Sequence, residues 1–169
     1  MQNTRPNSHS TRHDIDVLQI IAPPPILFLV SLLSSCGLNY IFPTKLSNKN
    51  HILVICGVML FLLSATIALW SFITMQQAQT SANPYKKSAH LTTLGPFKYS
   101  RNPIYLAMTG LYLSISLPIN SIWAYILFLP LLLVMYWGAI LREEKYLMSR
   151  FGESYLIYKK AVPRWLLIK

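Results

Sequence analysis

Gly95-Pro96-Phe97-Lys98-Tyr99-Ser100-Arg101-Asn102-Pro103-Ile104-Tyr105 is a polar knot set between long apolar runs. Gly95-Pro96 signals a loop, because glycine relieves backbone strain while proline fixes its own φ and lacks an amide donor. Asn102-Pro103 predicts a helix start. Asparagine at the N-cap accepts a hydrogen bond from a free first-turn amide, and proline at the first helical position gives up no bond the helix needs. A helix opening here presents amide donors and partial positive charge beside Lys98 and Arg101. Two readings stand side by side: a corner that holds a carboxylate or phosphate, and a pair of basic anchors at a membrane edge.

Outward from the knot, composition decides the environment. Of 169 residues, 53% are hydrophobic and only 12% charged, yet the formal net charge is +10. A nucleic-acid binder would carry that charge over one face of a soluble domain. Here the basic residues instead separate apolar runs of bilayer-crossing length, which implies a membrane as partner and no nucleic acid. Cys36 and Cys56 lie far apart inside apolar runs and suggest neither a disulfide framework nor a metal motif.

The expected fold is all-α and integral to the membrane. A polar N-terminal tail over 1–16, with no small-residue leader cleavage site, precedes a single membrane domain over 17–169. Its four transmembrane helices are expected at about 17–42, 52–75, 103–117 and 122–141. Pro23, Pro24 and Pro25 delay the regular part of the first, and Pro130 is expected to kink the fourth. At about 1.5 Å per residue the third is roughly 22 Å long, short of a full crossing. Pro118-Ile119-Asn120-Ser121 makes a tight reversal, so the last two spans form a C-terminal helical hairpin. Thirteen of the fifteen Lys and Arg residues then fall on one side. The positive-inside rule makes that side cytoplasmic, with both termini and the knot facing it, in a cytoplasmic (inner) membrane.

After Leu141 the chain turns charged at Arg142-Glu143-Glu144-Lys145. Adjacent helical residues point about 100 degrees apart, so one glutamate of the pair can face a cavity while its neighbour meets Arg142, Lys145 or solvent. An ordinary surface salt bridge is the alternative. The hairpin makes this pair a neighbour of the knot. Further on, Phe151, Tyr155, Tyr158 and Val162 recur at helical spacing, predicting an amphipathic C-terminal helix that lies on the cytoplasmic membrane surface with its aromatic residues as anchors. The histidines His9, His13, His51 and His90 show no metal-ligand spacing, and the six glycines form no phosphate loop or dinucleotide fingerprint.

At these residues the chain resembles the isoprenylcysteine carboxyl methyltransferase and phospholipid methyltransferase superfamily of membrane enzymes. The resemblance rests on Gly95 to Tyr99, on Arg101-Asn102-Pro103-Ile104-Tyr105, on the Glu143-Glu144 pair and on the tail from Phe151 to Pro163. It implies S-adenosyl-L-methionine as methyl donor and a lipophilic acceptor from the bilayer: an isoprenoid carboxylate or thiol, or a phospholipid amine. It further implies Arg101, Asn102 and Tyr105 as catalytic residues. The cofactor would be held by His90, Leu91, Thr92, Gly95, Phe97, Arg101, Asn102, Pro103, Ile104, Glu143 and Glu144, with Glu143 on its α-amino group and no metal. Asn102 stands where eukaryotic relatives have histidine, and Ala139 where they have a substrate-contacting arginine, with Arg142 as a candidate substitute. Two other classes share the layout, a nicotinamide-dependent membrane reductase and a non-catalytic membrane subunit. Nothing in the helix faces indicates an oligomeric state.

Overall fold

A computed structural model describes residues 23–48, 50–78 and 91–166. The polar tail, the first residues of the first apolar run and His90 lie outside them. Helix α1 (Pro24–Ile41) starts at the proline cluster, with proline at its first positions, where a missing amide donor takes nothing from the helix. Next come α2 (Asn50–Gln77), a 3-10 turn at Gly95–Lys98, α3 (Pro103–Ile119), α4 (Ile122–Met135), a π-helical turn at Tyr136–Ile140, α5 (Leu141–Phe151) and α6 (Glu153–Ala161). The described residues contain no strand.

Among the described residues, three helices are long and apolar enough to cross a membrane: α1 with 18 residues, α2 with 28 and the continuous rod from Ile122 to Phe151 with 30. The fourth apolar helix, α3, has 17 residues. The rod is about 45 Å long at 1.5 Å per residue, against a hydrocarbon layer of about 30 Å. Its apolar part ends at Leu141, so the charged turn from Arg142 onward lies beyond the crossing segment.

Packing between α2 and α3 is made by small residues. Gly57, Ser64, Ser71 and Thr74 are the buried residues of α2, and their spacing puts them on one face. A Cβ added at Gly57 would lie 2.7 Å from the Ser114 carbonyl oxygen and 3.0 Å from Pro118 Cδ, and one at Gly110 would collide with Ser64 Oγ. Close backbone approach supplies the van der Waals contact that association between apolar helices needs, because lipid tails offer no hydrophobic gain. The remaining faces of α2 leave Met59, Leu62, Leu63 and Leu69 exposed, as a lipid-facing helix does. A separate core joins Phe28 of α1, Tyr112 of α3 and Leu131, Met135, Ala139 and Tyr146 of the rod.

The polar links meet at one end of this bundle. Asn120 adopts the left-handed conformation (φ 54°) that closes α3. Its Oδ1 accepts from the Leu46 and Ser47 amides at 3.1 and 2.9 Å, and its Nδ2 donates to Ser47 O and Asn50 Oδ1, both at 2.7 Å. One side chain thereby ties the α1–α2 link to the α3–α4 turn.

Three expectations are corrected. The third helix continues to Ile119, because Pro118 removes only its own amide bond, and the reversal shrinks to Asn120-Ser121. The fourth helix does not stop at Leu141 but runs through the π turn to Phe151. The tail's aromatic residues are not membrane anchors: Tyr155, Tyr158 and Val162 are buried against Leu91, Leu147, Met148 and Phe151. Protein groups satisfy both tyrosine hydroxyls, and Leu156, Ile157, Lys159 and Lys160 face outward instead.

If close approach holds α2 to α3, Gly57→Ala lowers apparent stability in detergent by about 1–3 kcal/mol, the usual range for overpacking. Gly37→Ala in α1, where a Cβ meets nothing within 4 Å, leaves thermal unfolding unchanged or slightly improved.

Candidate functional site

At the opposite end from Asn120, the knot is held open as a loop by contacts from α2 and from the C-terminal segment. Gly95 has φ +57° and faces α2 so closely that a Cβ would sit 2.6 Å from Thr74 Oγ1, so both conformation and space require glycine. The C-terminal segment supplies the next contacts. Tyr158 donates its hydroxyl to the Phe97 carbonyl at 2.8 Å, and the Arg101 amide donates to Pro163 O at 2.9 Å. Ser100 Oγ and Asn102 Nδ2 both donate to Arg164 O, at 3.0 and 3.2 Å. Asn102 does occupy the N-cap of α3, but its side chain makes no capping bond. The expected cap is replaced by a tether to the tail, whose carbonyl recruits the amide group.

Below the loop lies a buried ionic cluster centred on Glu144. Arg164 grips the carboxylate with two bonds, Nε to Oε1 at 2.7 Å and Nη2 to Oε2 at 2.9 Å. Arg101 Nη1 donates to the same Oε1 at 2.9 Å and to the Tyr155 hydroxyl at 3.3 Å. Lys159 Nζ stands 3.7 Å from Oε2. Tyr136 closes the far side: its hydroxyl accepts from Arg164 Nη1 at 3.0 Å, and its ring centroid is 5.1 Å from the guanidinium carbon. Burial alone would raise the Glu144 pKa, but the Arg164 hydrogen bond and the charges of Arg101, Arg164 and Lys159 outweigh it and hold the carboxyl below its ordinary range. The Arg164 guanidinium is raised in turn, chiefly by its bonds to Glu144. Arg101 keeps one buried donor, Nε, without a partner.

Glu143 has the opposite environment. It points to another side of α5, where Oε2 accepts the Tyr105 hydroxyl from the first turn of α3 at 2.8 Å. Among the described residues no cation pairs with it. Burial raises its pKa, the Tyr105 bond opposes that shift, and the neighbouring Glu144 charge adds to it. The π turn sets this division of labour. One extra residue per turn rotates everything after Ile140 by about 100 degrees relative to a plain α-helix, and so chooses which glutamate meets the arginines.

The structure thus brings together Arg101, Asn102, Tyr105, Glu143 and Glu144. Pro103 is fully buried at the helix start, Ile104 half-buried beside it, and Gly95 and Phe97 build the turn above. Leu91 packs on the tail cluster, Thr92 is half-buried, and His90 lies outside the described residues. Ala139 is buried in the π turn while Arg142 is exposed on α5. Sequence reasoning gave no role to Arg164 or Tyr136 and misassigned Tyr155 and Tyr158. The one available signal for Arg164 was its place directly after Val162-Pro163 in the tail motif. Among the described residues no group of side chains could hold a metal ion.

Helices long enough to cross a bilayer, ending in a buried carboxylate–guanidinium cluster, define an integral membrane protein with its polar site at the helix ends. The family model for phospholipid methyltransferase matches residues 52–154, more than half of the chain, and the chain belongs to that family. Its class is therefore that of the membrane methyltransferases. No curated protein and no solved structure matches the chain. The matched segment contains Arg101, Tyr105, Glu143 and Glu144, and Arg164 lies beyond its end.

Glu144→Gln leaves two guanidinium groups without their counter-charge and should destabilise the protein by about 3–5 kcal/mol in thermal unfolding. The pH dependence has a definite sign. A carboxyl held below its unfolded pKa supplies stability in full above the ordinary value of 4.5, and that stability is lost as the pH falls through the lower folded value. The parent should therefore lose apparent Tm on acidification below that range, by more than Glu144→Gln does.

Proposed function

We propose that this protein transfers a methyl group from S-adenosyl-L-methionine to a lipophilic acceptor at the cytoplasmic face of the membrane. Four membrane-embedded helices would place both termini and the site on that face, as the distribution of basic residues favours. The observation that carries the reading is the contrast between the two glutamates. Glu144 is saturated by cations, whereas Glu143 is a partly shielded carboxylate held by a tyrosine with no cation of its own among the described residues.

The donor's aminocarboxylate end needs a carboxylate for its ammonium and hydrogen-bond donors for its own carboxylate. Glu143 suits the first requirement. Arg101 Nε and the first-turn amides of α3 suit the second, since that nitrogen is a buried donor with no acceptor. When bound, the cofactor would supply a methyl carbon on a cationic sulfonium, open to displacement by an acceptor's lone pair with the carbon–sulfur electron pair left on sulfur. What the chain's own residues do is position. Tyr105 fixes the Glu143 carboxylate, Glu144 and Tyr155 fix Arg101, and Asn102, engaged with the Arg164 carbonyl, offers no titratable group. Orientation of this kind is a large part of the acceleration available to a direct displacement. The acceptor is an isoprenoid carboxylate or thiol, or a phospholipid amine, entering laterally from the bilayer.

Calorimetric titration of the detergent-purified protein with S-adenosyl-L-methionine should give saturable binding, weakened at least tenfold by Glu143→Gln, as loss of a charge-assisted bond predicts. No binding to folded parent protein would overturn the reading, and binding of a reduced nicotinamide dinucleotide in its place would move the chain to the reductases. Acidification tests the same group. Since the Glu143 pKa lies above 4.5, affinity for the ammonium should fall as the pH drops through that raised value, and this loss should be absent in Glu143→Gln.

A further inference from the structure

A second feature borders Glu144 on a face of α5 that does not carry Glu143. An open cleft of about 440 Å³ runs between α5 and α6, lined by Leu141, Glu144, Lys145, Met148, Ser149 and Lys159. Neither Tyr105 nor Glu143 borders it. Its volume falls within the roughly 300–1,000 Å³ of small-ligand pockets.

Charge in this cleft is not balanced. Glu144 already accepts three bonds from two guanidinium groups, so Lys159, at 3.7 Å, meets a carboxylate whose charge is more than offset. Lys145 is exposed and has no ion pair among the described residues. The cleft is therefore cationic, and any occupant that completes it is an anion. Position adds a second constraint. Leu141 ends the apolar run of the rod and Lys145 follows one turn later, so the cleft lies where the rod changes from apolar to charged, the kind of boundary at which basic residues meet lipid headgroups. Leu141 and Met148 offer apolar surface beside the lysines, and Ser149 a hydroxyl. An amphiphile with a phosphate head matches all of these.

We propose that the cleft between α5 and α6 binds the phosphate-bearing headgroup of an anionic membrane lipid, recognised by Lys145 and Lys159. This lipid is distinct from the methyl acceptor and is retained beside the site, where its phosphate supplies the negative charge that the Glu144 cluster lacks. The inference rests on the membrane placement of α5 and not on methyl transfer, so it survives or fails independently of the S-adenosyl-L-methionine titration.

The test is lipid retention by the full-length protein, extracted in mild detergent supplemented with phosphatidylglycerol and weighed by native mass spectrometry. The parent should retain phosphatidylglycerol and not phosphatidylcholine, and Lys145→Gln/Lys159→Gln should retain it roughly tenfold or more weakly, each lysine near an anionic surface contributing about fivefold. Ser149→Glu, which adds a negative charge to the cleft without touching a partner of Glu144, should weaken retention as well. The control Lys98→Gln/Lys160→Gln, which removes two exposed lysines outside the cleft, should retain it as the parent does. Equal loss in the control, equal retention of phosphatidylcholine, or undiminished retention in both cleft variants would overturn the proposal. Protection of the parent against unfolding by soluble glycerol phosphate, with no lipid retained, would overturn it in favour of a water-soluble phosphate ligand.

Discussion

One carboxylate organises the end of this molecule where the polar groups gather. Glu144 sits one turn past the apolar part of the rod and collects Arg101 from just before α3, Lys159 from α6 and Arg164 from the segment beyond it. Two of these elements, α6 and the segment beyond it, are short, and the segment beyond α6 has no helix of its own. A buried ion in such a position is costly to desolvate, and its attraction to a single partner rarely repays that cost. Several charge-assisted bonds converging on one group change the balance, because each guanidinium satisfies a lone pair that would otherwise be stranded. The tail is thereby fastened over the knot, and the loop over the helix ends.

The opposite end is solved without charge. Asn120 gathers the two short links through four neutral hydrogen bonds, while the helices between the ends are held by close contact of glycine and serine faces. The contrast has a simple origin. Links that only turn the chain need their backbone groups satisfied and nothing more, whereas the knot and the tail are fastened through charged side chains that must be paired where they are buried. The two glutamates differ accordingly: Glu144 is spent on architecture, while Glu143 accepts one bond from Tyr105 and meets no cation among the described residues.

Much of this was legible in the sequence, for reasons that can be named. Apolar runs at α1, α2 and the rod are long enough that no soluble arrangement could hide them, so the membrane class followed from length and composition. Gly95 marks a turn because glycine tolerates a positive φ, and Asn102-Pro103 marks a helix start because proline gives up no bond at the first helical position; the structure opens α3 at Pro103. Nearness of Glu143-Glu144 to Arg101 followed from the tight hairpin. The aromatic tail was misread, since Tyr155 and Tyr158 have the same spacing whether they face lipid or protein. Only their hydroxyl partners, 54 and 61 residues away in the chain, decide between the two.

By itself, then, the sequence determined the all-helical membrane class, the place where α3 begins and the set of charged residues gathered near it, because these depend on local backbone chemistry and on transfer of apolar surface. Tertiary structure alone decided which glutamate each partner meets, through a π turn in the apolar Tyr136–Ile140 stretch that no simple periodicity announces. It also decided that Asn102 tethers the tail instead of capping its helix, and that Arg164 grips Glu144 with two bonds. Pairing of charges across long sequence separations is set by the angle and depth at which helices pack, and neither quantity is written in any single stretch of the chain.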